Sequence, residues 1–176
     1  MDATTGTAVR TITGASTGFG GAPSLIVDAA HGEILVGVAA TSSSRVETFD
    51  IAGPSGDAAP KRVLGAPGNT AVGNWAIALD RSRDQLLTSC NCDDRITVFA
   101  RTTTGDATPM RTLRLPGVLG IYALLMDEAA DTVWALARVD ASTQTLVELP
   151  RGATGDVAPL HPGITLGNAG RLAPCN

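Results

Sequence analysis

The chain has 176 residues, 44% of them hydrophobic, which is enough for one core of ordinary domain size and too apolar for a disordered chain. Its net charge is −4, and no basic cluster exists beyond Lys61-Arg62 and the spaced Arg81 and Arg83, so the basic footprint of a nucleic-acid binder is missing. No apolar run approaches the ~20 residues of a transmembrane helix, so insertion into a membrane by helices is not expected.

The first residues, Met1 to Thr5, are polar and unlike a signal peptide, and the chain enters in mid-repeat. The expectation is a removed leader or a piece of something longer. Residues 8–13, Ala8 to Thr13, read as one extended run that matches a later phrase, Met110-Arg111-Thr112-Leu113. Three groups of four short runs then follow. Each group opens on an apolar run ending in Asp: Leu25 to Asp28, Ala76 to Asp80, Ala123 to Asp127. Such runs suit strands covered on both faces. A tight polar turn comes next, because Asp and Gly accept local hydrogen bonds and unusual φ angles.

The second run is Ile34 to Val38, Leu86 to Cys90 and Val133 to Ala137. The third alternates apolar and polar: Arg45 to Phe49, Arg95 to Phe99, Gln144 to Leu149. Then a phrase returns at about fifty-residue spacing: Gly56-Asp57-Ala58-Ala59-Pro60, Gly105-Asp106-Ala107-Thr108-Pro109 and Gly155-Asp156-Val157-Ala158-Pro159. The fourth run, Arg62 to Leu64, Arg111 to Leu115 and Ile164 to Leu166, is the most polar, as an outer edge strand must be to resist foreign pairing.

Four antiparallel strands per repeat, apolar inside and polar outside, predict an all-β fold: a β-propeller of about three blades per chain. A solenoid of parallel coils is the rival, but the turns after the first runs are too tight for it. The blades are placed at about 22–66, 74–116 and 121–166, with an N-terminal outer strand at 8–13 and a tail at 167–176, in a single domain 1–176.

Leu79-Asp80, the run Arg95-Ile96-Thr97-Val98-Phe99 and Thr104-Gly105-Asp106-Ala107-Thr108-Pro109 carry a resemblance to the NHL-like and lactonase-like β-propellers of bacterial extracytoplasmic proteins. The resemblance implies a periplasmic or extracellular setting and a site at the funnel mouth, where inner strands begin. Lactonase-like enzymes hold a metal there with carboxylates and Asn. The matching positions here offer Ser24, Asn74, Trp75 and Tyr122, and only Asn74 resembles a ligand. A hard metal wants several oxygens. The expectation is therefore no catalytic residue, no metal and no cofactor, with a metal-dependent hydrolase of cryptic site as the alternative. Trp75 and Tyr122 either stack on a flat or sugar-like ligand or fill space beside small neighbours.

Asp28, Asp80 and Asp127 recur too regularly for catalysis and read as turn residues. His31 and His161 lie in no known nucleophile motif. Asn91 to Asp94 reads as a hairpin loop in preference to a weak Ca²⁺ site. Three cysteines leave at least one thiol unpaired in a monomer. Cys90 and Cys92 are expected on one face of a strand, with Cys175 able to form a disulfide with either; zinc through these three and a histidine, or free thiols, are the other readings.

Three blades do not close a ring that needs about four to eight. An open arc exposes the apolar flanks of its end blades. The expected partner is a second copy: a homo-oligomer, either a dimer making a six-bladed ring or a filament, latched in trans by residues 8–13. Function is then binding or assembly, without catalysis.

Overall fold

The computed structural model describes residues 8–21, 24–40, 43–65, 72–73 and 75–166. Three antiparallel sheets follow one another along the chain. The first contains β1 (Ser24–Asp28), β2 (Glu33–Ala40), β3 (Ser43–Asp50) and β4 (Arg62–Leu64), in that spatial order. The second contains β5 (Ala76–Asp80), β6 (Gln85–Ser89), β7 (Arg95–Ala100) and β8 (Arg111–Arg114). The third contains β9 (Gly120–Asp127), β10 (Thr132–Arg138), β11 (Gln144–Pro150) and β13 (Ile164–Leu166), while β12 (Gly155–Asp156) joins the second sheet. Each sheet is a propeller blade, and the chain is a three-bladed β-propeller arc. One 3-10 turn at Ala15–Thr17 is its only helical element among the described residues.

The first turns of the second and third blades are built alike. Asp80 Oδ1 accepts the N–H of Arg83, and Asp127 Oδ1 accepts that of Ala130, each at 3.0 Å. In the first blade Asp28 Oδ2 lies 2.7 Å from His31 Nδ1 instead. The residue four past each Asp is left-handed: Gly32, Asp84 and Asp131, at φ 67, 52 and 56°. Asp is among the few residues with a side chain that tolerate this region, which explains why Gly and Asp share the position.

Side chains alternate along each strand, so every blade has two faces. The face toward the next blade carries Ile26, Leu35, Val46 and Leu64 in the first blade and Ala78, Leu87, Ile96, Val98 and Leu113 in the second. Against these pack the opposite faces of the next blades: Ile77, Leu79, Leu86 and Phe99, then Ile121, Val133, Ala135, Val147 and Leu149. Two of the three buried clusters are therefore layers between blades, and the third, Val36, Val38 and Phe49, lies on the front of the first blade.

The recurring Gly-Asp-x-x-Pro loop ties blades at their outer rim. Gly105 forms a parallel bridge to Leu64, and Gly155 pairs in parallel with Leu113. Gly56 makes the same bridge to Ile12. Residues 11–13 thus stand where the outer strand of a preceding blade would stand. Arg10 completes the likeness: its Nη1 donates to the Ile51 carbonyl, as Arg111 Nη2 donates to the Arg151 carbonyl at 2.8 Å.

Charged side chains stitch the first junction. Glu33, buried, accepts from Arg62 of its own blade at 2.7 Å and from Arg101 of the next at 2.6 Å. The Arg62 hydrogen bonds outweigh burial, with Lys61 and Arg101 adding to them, and lower the Glu33 pKa from 4.5 to about 2. A depressed carboxylate contributes stability that is full above its unfolded pKa and is lost as pH falls toward its folded value. Urea unfolding followed from pH 5 to pH 2 should therefore show falling stability, and Glu33→Gln should remove part of that slope. An unchanged slope in the variant would place the acid sensitivity elsewhere.

Candidate functional site

The structure offers two regions for function: the end where inner strands begin, and the uncovered faces of the outer blades. At the first, Trp75 donates its backbone N–H to Ser89 and Tyr122 sits near the start of β9. Their rings meet edge to face, with centroids 6.0 Å apart and planes at 86°. The Arg138 guanidinium lies 5.8 Å from the Tyr122 ring centroid, within cation–π range. Both aromatics are half-buried and bridge the second and third blades. Ser24 begins β1, in the first blade; Asn74 lies outside the described residues. Among the described residues no three His, Cys, Asp or Glu gather to hold a metal ion.

The cysteines are not where the strand reading puts them. β6 ends at Ser89, and Cys90 and Cys92 lie in the loop before β7, bonded to each other. Their Cα atoms are 5.1 Å apart, shorter than the ~6.6 Å of alternate residues on a strand. The two sulfurs, either of which the sequence allows to pair with Cys175, are thus paired together, and Cys175 itself lies outside the described residues. The loop lies hard against the third blade: Cys90 accepts the Ile121 N–H at 2.9 Å, and a Cβ on Gly120 would collide with the Asn91 backbone. Asp93 there is engaged by Arg95 at 2.6 Å and Asp94 by Arg114 at 3.0 Å, which favours a hairpin loop.

The second region follows from equivalent positions. Leu64 and Leu113, opposite Val46 and Ile96, are 3% and 0% exposed, because the next blade covers them. Ile164, opposite Leu146 in the same register, is 58% exposed. Leu125, at the place of buried Ala78, is 64% exposed. With Trp134, Leu136 and Leu146 it lines an apolar groove across the third blade.

At the other end, Leu25 is 64% exposed where Ile77 is buried. Val27 on the same face is 51% exposed, while Val36, Val38 and Phe49 are covered by the N-terminal segment. Ile12 packs on Val36, Val38 and Phe49; Phe19 meets Phe49 edge-on at 5.5 Å; Arg45 donates to the Gly18 carbonyl.

Two arginines missed by the sequence reading clamp the junctions. Arg101 links Glu33 of the first blade with Asp84 of its own. Arg151, almost fully buried, donates Nε to Asp80 Oδ2 at 2.7 Å and Nη2 to Asp80 Oδ1 and Ser82 Oγ, and lies beside Asp131. Burial alone would raise the Asp80 pKa; Arg151 and the Arg83 N–H more than reverse this and hold it below its usual value. The Asp residues read as turn formers are thus also clamp acceptors. A signal existed: Arg101 and Arg151 each stand four residues before the Gly of the recurring loop. Ile51 holds their place in the first blade, its N–H bonding Gly32 as theirs bond Asp84 and Asp131.

No family model matches the chain, and no curated protein matches it. Among solved structures, the β-propeller domain of Cps50 (Swd1) from Myceliophteria thermophila aligns at TM-score 0.48 and 13% identity, over 82% of this chain. The chain spans 38% of that structure's length.

Removing one member of a buried ion pair strands the other. Arg151→Ala should cost about 3–5 kcal/mol in chemical unfolding, while Arg151→Met with Asp80→Leu should recover most of it. A single-variant cost below ~1 kcal/mol would assign the pair to the weak surface class.

Proposed function

We propose that the chain is a non-enzymatic β-propeller module for protein binding and assembly, and that it works by associating with copies of itself. The observation that carries this reading is the uncovered face of the third blade. Leu125 and Ile164 occupy positions that the next blade buries elsewhere, with Leu136 and Leu146 beside them. A contiguous exposed apolar sheet of this kind marks an interaction surface. Two copies would supply six blades, within the range of closed propellers, and a filament is the other head-to-tail outcome.

The Cys90–Cys92 bond supports an extracytoplasmic setting, since disulfides persist in oxidising compartments. So does the resemblance to NHL-like and lactonase-like repeats. At the mouth, the exposed parts of Trp75 and Tyr122 beside Arg138 suit a flat or sugar-like ligand.

Light scattering should give a mass that is a multiple of 17.9 kDa. Leu125→Asp with Leu136→Asp should lower that mass at equal concentration, because charges in the groove would be buried unpaired. A stable 17.9 kDa particle at every concentration would sink the self-association reading.

A further inference from the structure

Resting on self-association, the geometry points to a strand exchange as the joining step. We propose that residues 8–13 of a second copy displace β13 and become the outer strand of the third blade.

The place beside β11 is already filled, but poorly. In the first two blades the outer segment enters with Lys61 or Met110 donating to the Thr48 or Val98 carbonyl, and Leu64 or Leu113 follows three residues later. In the third blade Leu160 makes that entry bond to Glu148, yet Ile164 follows four residues later. His161-Pro162-Gly163 therefore spans a place meant for two residues. Proline cannot donate to the ladder. All of Ile164–Leu166 is exposed.

The arginine of the repeat is also missing there. Arg62 stands opposite Thr48, and its Nη1 donates to Glu33 at 2.7 Å. Arg111 stands opposite Val98, and its Nη1 donates to Gln85 Oε1 at 2.6 Å. The third blade has Thr132 in the place of Glu33 and Gln85 and no arginine to meet it. Thr132 Oγ1 is buried and has no hydrogen-bond partner among the described residues. Opposite the vacant arginine position stands Glu148, whose carboxylate meets only the exposed His161, at 3.8 Å, among the described residues.

Residues 8–13 carry what that place lacks. Their bridge to Gly56 sets Ile12 in step with Leu64 and Leu113, and so Arg10 in step with Arg62 and Arg111. That isolated bridge uses one edge of the segment, which forms no strand of its own in the single chain. In β8 the corresponding edge pairs with β12 of the next blade while the other pairs with β7. Residues 11–13 can keep the Gly56 bridge and offer their other edge to β11 of a second copy. Arg10 then lies across from Glu148 and beside Thr132, a cation against a carboxylate and an unpaired hydroxyl. The exposed Leu25 and Val27 of the arriving copy face the groove of Leu125, Trp134 and Leu136, as Ile77 and Leu79 face the first blade. This junction has Ile51 where Arg101 and Arg151 clamp the internal ones, so it is weaker and exchangeable.

The test needs no ligand: analytical ultracentrifugation of full chains across a concentration series. Weakening β13 with Ile164→Pro and Leu166→Pro should tighten association several-fold. Glu148→Arg should weaken it roughly tenfold or more, and Arg10→Glu in the same chain should restore it. Circular dichroism checks that each variant is folded. If the wild-type chain associates but the proline pair does not tighten it and the charge reversal has no effect, the exchange is wrong and the assembly reading stands. If no folded chain, the proline variant included, exceeds 17.9 kDa, the assembly reading itself fails.

Discussion

A four-stranded sheet with apolar side chains on both faces has no stable life alone, and every feature of this arc follows from that constraint. Leu35, Val46 and Leu64 are buried only because Ile77, Leu79 and Phe99 of the next blade arrive to cover them. The inter-blade layer leaves conformational entropy to be offset by contacts between residues about fifty positions apart, so neither repeat is stabilised before both are formed. The end blades show the same constraint unmet. The first half-solves it by folding the linker of residues 8–21 over Val36, Val38 and Phe49. The third leaves its sheet open to water.

Charge works within this layer and does not replace it. Arg101 and Arg151 each join an acid of the preceding blade to the left-handed Asp of their own turn, so one guanidinium fixes both the turn and the spacing of two sheets. In the first blade both members of the device change together: Gly32 replaces the left-handed Asp, and Ile51 replaces the arginine. A blade whose front is met by its own linker does not need a clamp to a neighbour in the same chain.

Much of this was legible in residues. Period-two alternation, the Asp-headed turns and the Gly-Asp-x-x-Pro loop placed the strands of all three blades, because those signals are local and each repeat supplies them again. What escaped was set by contacts between repeats. Arg101 and Arg151 sit in loops and look solvated until the preceding blade is placed against them. Cys90 and Cys92 read as strand neighbours because Leu86 to Cys90 is one apolar run, whereas the ladder ends at Ser89 and the chain turns sharply enough to bring the two sulfurs together. The packing of Trp75 on Tyr122 depends on the junction angle of two blades, which no spacing encodes.

The rim bridges have a dynamic consequence. Gly105 to Leu64 and Gly155 to Leu113 link each blade's loop to the strand before it, so local opening of one blade strips hydrogen bonds from its neighbour. Opening then costs most in the middle, where the second blade is held from both sides, and least where only one side is held. Amide exchange in such an array should be graded along the chain, slowest in β6 and β7 and fastest in β13, which would give the arc a direction. The first blade keeps the cover of residues 8–21, and the third, bare on its outer face, is the end expected to open first.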